Sequence, residues 1–374
     1  MTAKKIVRTL HLWLGIPSGL LVFVIAITGC LYVFQAEIQS LTQTYRHVEV
    51  QQAPILPPSQ LTDFAQQALP DKMLMTLQYK GGNKAVEAQF YGYEPDYYLS
   101  VFLNPYTGEV LHILDNNTGF FNWIIRGHAY LWLPTHIGQP IVSIATLIFV
   151  ILLLSGIVLW FPTNVKRLKN SLWFQWKKTT NSSRKKFDLH NILGFYAFLF
   201  AMCIALTGLV WGFQWFSDFA YKATGGKKDF YPTPELPIAA EGQSVLDVRV
   251  AVDSMYRIMR NDYPEAKVID IQIPDESASL LSASANLSAR SYWKIDNRCF
   301  NRYSLKDIPN TAVYGRLKNA DCADLIRRMN YDIHVGAIGG LVGKIVAFFI
   351  SLFVASLPVT GLMMWARKRK KQVR

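Results

Sequence analysis

Two histidines occupy matching places in this chain of 374 residues. His11 lies in "LHLWLGIPSGLLVFVIAITG" and His190 in "LHNILGFYAFLFAMCIALTG". Each is followed by Leu-Gly and, at the far end of an apolar run, by Thr-Gly. The closing glycines, Gly29 and Gly208, both lie 18 residues beyond their histidine. On a helix, 18 residues return to the same face after roughly 27 Å. One imidazole at a membrane boundary reads as an interface residue. A matched pair at the ends of apolar helices is costly and reads as functional. Two imidazoles on neighbouring helices, at one depth, clamp a planar cofactor from both faces, and haem iron accepts such axial ligands.

A second set lies further along. "GHAYLWLPTHIGQPIV" holds His128 and His136, and "IHVGAIGGLVGKIV" holds His334. The spacings Gly138 to Gly156 and Gly343 to Gly361 are again 18, which aligns these two segments. His128 precedes Gly138 by ten residues and His334 precedes Gly343 by nine. The alignment therefore pairs His128 with His334 and leaves His136 as an alternate ligand. Pro134 and Pro140 interrupt regular helix there, so faces cannot be counted across the segment. Gly156 and Gly361 either make room beside a porphyrin held by the other helices or permit close helix packing. Two clamps predict two b-type haems, with His11, His190, His128 and His334 as iron ligands. Iron with two imidazoles has no open position, which suits electron transfer. His47 and His112 fall outside this pattern and are expected in solvent or turn roles.

The elements that must position these residues are membrane spans. The chain is 51% hydrophobic and 13% aromatic, between soluble and all-membrane compositions. Four stretches, 12–34, 141–161, 191–216 and 341–365, are long enough to cross a bilayer. Seventeen bases cluster before the first span, between the second and third, and after the fourth, with Asp188 the only acid among them. They contribute +16 to a chain total of +13, leaving −3 for the rest. Short Lys/Arg-rich loops stay cytoplasmic, so both termini are expected inside and the two long loops outside. The positive charge is thus a topology signal, assisted by anionic membrane lipid, and no nucleic acid is implied. "ITGC" resembles a lipoprotein cleavage site, but the third span repeats the Thr-Gly without a cysteine, and cleavage would discard His11.

The resulting fold class is a four-helix transmembrane bundle built as a tandem repeat of about 180 residues, with two small α+β periplasmic domains. The expected boundaries are 1–34, first span; 35–127, first external domain; 128–161, second span; 162–189, basic loop; 190–216, third span; 217–331, second external domain; 332–374, fourth span and basic tail. Each external domain carries a helical stretch and alternating strands, such as "AVEAQFYGY" and "KVIDIQIP", and "YPTPELP" reads as a linker. Cys299 and Cys322 share the second external loop, where pairing stays open. Cys30 and Cys203 are expected to pack as small apolar residues.

The four-span plan, with "RGHAYLWLP", "WFPTNVKRLK", "FDLHNILGFYAFL" and "LPVTGLMMW", resembles the PepSY-associated transmembrane family, and within it the inner-membrane ferrisiderophore reductases of the FoxB type. "NPYTGEV" is similar to the PepSY turn. The resemblance implies a haem-dependent oxidoreductase of the bacterial inner membrane that releases iron from periplasmic ferric siderophore. Some relatives carry a fused flavin domain. Here the chain ends at "WARKRKKQVR", so the electron donor, a quinol or a cytoplasmic flavoprotein, is expected to be separate. Two other readings stand beside this one: a haem reductase of another periplasmic metal or partner, and a non-catalytic peptide-binding or regulatory membrane protein. Trp123, Arg126, Tyr130 and Trp132 read as an aromatic belt with a snorkelling arginine, so no substrate-contacting residue is assigned.

Overall fold

The structure is a computed structural model that describes residues 2–162, 168–230, 232, 236–238 and 244–372. Lys166, Arg167, Arg374 and most of the "YPTPELP" stretch lie outside the described residues, as do the side chains of Lys169 and of residues 368–371. In chain order the elements are α1 (Ala3–Tyr32), α2 (Gln35–Thr42), α3 (Pro58–Ala68), β1 (Leu74–Tyr79), β2 (Val86–Tyr93), β3 (Asp96–Leu103), β4 (Val110–Asp115), α4 (Gly119–Tyr130), α5 (Thr135–Trp160), α6 (Leu168–Leu172), α7 (Ser182–Gly212), α8 (Gln214–Ala223), α9 (Val248–Asp262), β5 (Val268–Gln272), β6 (Leu280–Asn286), β7 (Ile295–Asn301), β8 (Asp307–Ile308), α10 (Cys322–Arg328), α11 (Asn330–His334) and α12 (Gly340–Gln372). They form two compact units, one of Met1–Gln35, Phe120–Ala220 and Asn330–Arg374, the other of Ala36–Gly119 and Tyr221–Met329.

The first unit holds four helices long and apolar enough to cross a membrane: α1, α5, α7 and α12. A helix satisfies every backbone N–H and C=O within its own segment, as hydrocarbon demands. Leu20, Ile151, Leu154, Leu199 and Phe349 face outward, a surface suited to lipid. Inside, Val22, Leu153, Ala197, Ala201, Ile350 and Val354 pack together. Helix α1 packs against α5 and α12, and α7 packs against the same two. The cyclic order is therefore α1, α5, α7, α12, and α1 and α7 stand on a diagonal. The expectation that His11 and His190 sit on neighbouring helices is corrected: they meet across the bundle.

Two helices also begin earlier than their apolar runs. Helix α1 starts at Ala3 and α7 at Ser182, where the Asn181 side chain accepts from the Ser183 N–H at 2.7 Å and caps the end. The basic residues of those first turns remain solvated while the backbone is already helical. His11 and His190 thus each lie eight residues past the first residue of their helix.

The second unit is one eight-stranded antiparallel sheet in the order β4-β3-β2-β1-β5-β6-β7-β8. Each half of the chain supplies one helix and a four-strand meander: α3 with β1 to β4, and α9 with β5 to β8. Leu61, Ala65, Met255 and Met259 of the helices share a core with Leu77, Ala88, Val101, Ile271 and Ala283 of the strands. The expected separate domains at 35–127 and 217–331 are therefore joined. Alone, each meander would leave β1 or β5 as an exposed edge of unpaired backbone groups. Pairing Leu77 with Ile271 and Gln78 with Asp270 removes both edges. Residues from Phe120 onward, including most of α4, belong with the helices instead.

Candidate functional site

Four of the five candidate histidines come together as two pairs. The ring centres of His11 and His190 are 6.3 Å apart with planes at 89°, and those of His128 and His334 are 6.1 Å apart at 69°. His136 is exposed at the start of α5 and does not line the cavity around His128 and His334. The structure thus brings His128, and not His136, beside His334. Because His128 rests on Gly29 of α1, 18 residues beyond His11, the two pairs are separated by roughly 27 Å along that helix.

Each imidazole sits in the same kind of seat on another helix: a hydroxyl residue followed by glycine. His128 lies on Thr28-Gly29, His334 on Thr207-Gly208, His190 on Thr360-Gly361 and His11 on Ser155-Gly156. A Cβ added at Gly29 or Gly208 would lie 3.0 or 3.3 Å from the ring Cε1, and one at Gly156 or Gly361 would lie at 3.5 Å. These glycines make room for the edge of an imidazole, not directly for a porphyrin. Gly15 and Gly194, four residues after His11 and His190, let Leu152 and Leu357 approach to 3.6 and 3.7 Å of the equivalent position.

The hydrogen bonds fix the protonation of three of the four rings. His128 Nδ1 lies 2.9 Å from the Ile25 carbonyl, His334 Nδ1 3.0 Å from that of Ile204, and His190 Nδ1 3.1 Å from that of Leu357. A carbonyl only accepts, so these nitrogens carry the proton. The hydroxyl partners agree. Thr28, Thr207, Thr360 and Ser155 each donate to a carbonyl of their own helix, at 2.6, 2.8, 3.0 and 3.1 Å. The threonine lone pairs are left to accept from Nδ1, at 3.0 Å for both His334 on Thr207 and His190 on Thr360. His128, His190 and His334 therefore direct their N–H outward to a helix and keep the lone pair on Nε2, while the 2.8 Å contact of His11 Nδ1 with the Ser155 hydroxyl serves either tautomer. A neutral imidazole held in this tautomer is the metal-binding form.

The spacing tests what the pairs fit. An ion bound at about 2 Å by two imidazole nitrogens, each about 1.1 Å from its ring centre, puts the ring centres roughly 6.2 Å apart. The observed 6.3 and 6.1 Å match. Two donors do not complete the shell of a bare ion, and no cluster of three or more His, Cys, Asp or Glu side chains suited to a metal occurs among the described residues. Were an ion held between two such rings, its remaining donors would have to come from the group that carries it, as in a tetrapyrrole. Around His128 and His334 lies a cavity of about 500 Å³ with mostly apolar walls, including Val142, Phe149, Ala205 and Trp211. Trp211 stands edge-on to His334 at 5.1 Å. The residues present fit a haem at this pair, and the donor set repeats at the other.

Short helices deliver the second pair. Between α4 and α5 the chain reverses through Leu131 and Trp132, both at left-handed φ of 54° and 58°, at a cost of about 1–3 kcal/mol each. The Trp132 indole donates to the Trp123 carbonyl at 2.8 Å and holds the turn. Gly138 lies under the Tyr130 carbonyl, where a Cβ would be 2.0 Å from the oxygen; Gly343 lies likewise under Gly336, at 2.1 Å. These are the two glycines that the 18-residue spacing aligned. What sequence reasoning missed is the role of the hydroxyl residue, although "ITG", "LSG", "LTG" and "VTG" were all visible. Elsewhere His47 Nε2 donates to the Ser40 carbonyl and His112 stacks on Tyr45. Cys299 and Cys322 are free thiols; Cys30 is buried, whereas Cys203 faces outward.

Residues 8–368, which include both pairs, match the family model described as the PepSY-associated TM region. No curated protein is found to match the chain. The four apolar helices and this match together identify a membrane protein. The chain belongs to the PepSY-associated TM region family.

Proposed function

We propose that the protein is a di-haem reductase of the bacterial inner membrane that delivers electrons to periplasmic ferric siderophore and so frees ferrous iron for uptake. The observation that carries this reading is the pair of imidazole couples at opposite ends of the bundle, at matching ring separations, with every Nδ1 committed and every Nε2 spare. Bound haem supplies a one-electron redox centre with no vacant iron position. His11 and His190 hold one, and His128 and His334 the other. The Ser/Thr-Gly seats lock the ring planes and, at three of the four, the tautomer. The apolar helices insulate the path from water and ions. The Lys/Arg bias of the short loops assigns the His11/His190 end to the cytoplasm, with both termini.

Siderophore suits as acceptor because ferric iron is a hard cation held by oxygen donors, which grip the ferrous ion far less. One electron then releases the metal without breaking the chelator. The donor is a quinol or a cytoplasmic flavoprotein. We read the shared order of elements in the two halves as a duplication of one helix–sheet–helix unit.

The test uses purified protein in lipid vesicles, reduced with dithionite and mixed with ferrioxamine, copper(II) or ferric citrate in the presence of a ferrous trap. Faster haem reoxidation by ferrioxamine, with ferrous iron trapped, is the expected result. Reoxidation only by copper(II) or ferric citrate replaces the acceptor. Protein that stays colourless when made in haem-replete cells removes the redox reading.

A further inference from the structure

The four seats are not equal. His128, His190 and His334 each have two acceptors at Nδ1, a backbone carbonyl and a threonine hydroxyl. His11 has one, the Ser155 hydroxyl. The carbonyl in the equivalent place is that of Leu152, four residues before Gly156. It accepts from Ser155 at 3.1 Å and takes no bond from His11. Serine also lacks the methyl that restricts the threonine rotamer in a helix.

We infer that Ser155 is the positioning residue on which the orientation of His11 depends alone, making the His11/His190 site the adjustable one of the two. This rests on the haem reading above. At the other three seats, loss of the hydroxyl leaves the carbonyl to hold the N–H. At His11 nothing remains: Nδ1 loses its one hydrogen-bond partner, and the ring is free to turn and present either nitrogen inward. A ligand whose outer hydrogen bond is lost binds its metal about 10-fold to 100-fold more weakly.

The experiment compares Ser155→Ala with Thr28→Val, Thr207→Val and Thr360→Val in full-length purified protein. The readouts are haem-to-protein ratio, the low-spin resonance of each haem and its midpoint potential. His11→Ala and His128→Ala identify which signal belongs to which site. Ser155→Ala is expected to shift or lose the signal that His11→Ala deletes, while the other signal stays and reports an intact fold. Ser155→Thr is expected to restore it, and each valine variant to shift the signal of its own site less than Ser155→Ala shifts that of His11. If Ser155→Ala matches Thr360→Val, or alters the signal that His128→Ala deletes, the assignment is wrong. Wild-type protein without haem overturns the underlying reading and the assignment with it.

Discussion

The two units bury polar groups in opposite ways. In the sheet unit, Arg302 is 1% exposed and donates to the carbonyls of Leu246, Asp275, Glu276 and Ala278 at 2.8–3.0 Å. Glu87 accepts from Lys80 at 2.7 Å and from Ser100 at 2.9 Å, with Arg46 at 3.9 Å. These groups have used what they have, so they hold structure and nothing else. In the helical unit, each of four imidazoles has committed one nitrogen and kept the other. A buried group that is fully satisfied is a strut; one that has committed a single side is the kind of donor the proposed haem sites need. The pattern at the histidines recurs four times, which packing alone does not require.

The largest effect expected from this comparison is at the strut. Arg302→Met removes the donor shared by four backbone carbonyls and should destabilise the sheet unit by about 3 kcal/mol, seen as a lower denaturant midpoint. A loss below about 1 kcal/mol would mean that the buried network is dispensable.

Next come the glycines, which separate the two sites. Gly29→Ala puts a methyl 3.0 Å from the His128 ring, tighter than most contacts, whereas Gly156→Ala reaches ordinary contact at 3.5 Å from His11. Gly29→Ala should weaken haem retention at its site by about 10-fold, while Gly156→Ala keeps both haems. Equal effects at the two positions would mean that the seats do not set ring placement.

Glu87 supplies the pH dependence. Burial pushes its carboxyl up, but Lys80 and Arg46, with the Ser100 hydroxyl, outweigh this and hold it below its ordinary value of 4.5. Its stabilisation is present above that value and is lost as pH falls through the lower folded value. Glu87→Gln should therefore cost stability at neutral pH, by about 1–3 kcal/mol, and the gap to wild type should close in acid. Thermal unfolding across that range measures it; a gap independent of pH would contradict the charged role.

Asp270 is the exception that sharpens the comparison. Its Oδ2 accepts from Ser284 at 3.1 Å and Gln78 also bonds the carboxyl, two neutral partners where Glu87 has a cation at 2.7 Å. Burial pushes its carboxyl up from 3.8. Asp270→Asn should raise stability at neutral pH by about 1 kcal/mol, with the gain vanishing as the wild-type carboxyl protonates. A destabilised asparagine variant would give Asp270 a charged role in the sheet.

The membrane spans were legible because hydrocarbon accepts so few sequences. The histidine pairs were legible because a repeated spacing of 18 is visible without coordinates. His128 was separated from His136 by the alignment of Gly138 with Gly343, and His128 is the one that stands beside His334. Three things were hidden. The diagonal placement of α1 and α7 depends on how the helices close into a ring, which periodicity does not encode. The joining of the two meanders depends on β1 and β5 finding each other across nearly 200 residues. The role of Ser155, Thr28, Thr207 and Thr360 was hidden because a hydroxyl bonded to its own helix and one that also receives an imidazole look identical in sequence.

The central claim is that each imidazole pair holds an iron tetrapyrrole. Its most direct measurement is the haem-to-protein ratio of protein from haem-replete cells, for wild type and for His11→Ala, His128→Ala, His136→Ala, His190→Ala and His334→Ala. The account predicts two haems per chain in wild type and in His136→Ala, with one lost in each of the other four. A wild type with no haem, or a His136→Ala variant that loses one while His128→Ala keeps both, would contradict it.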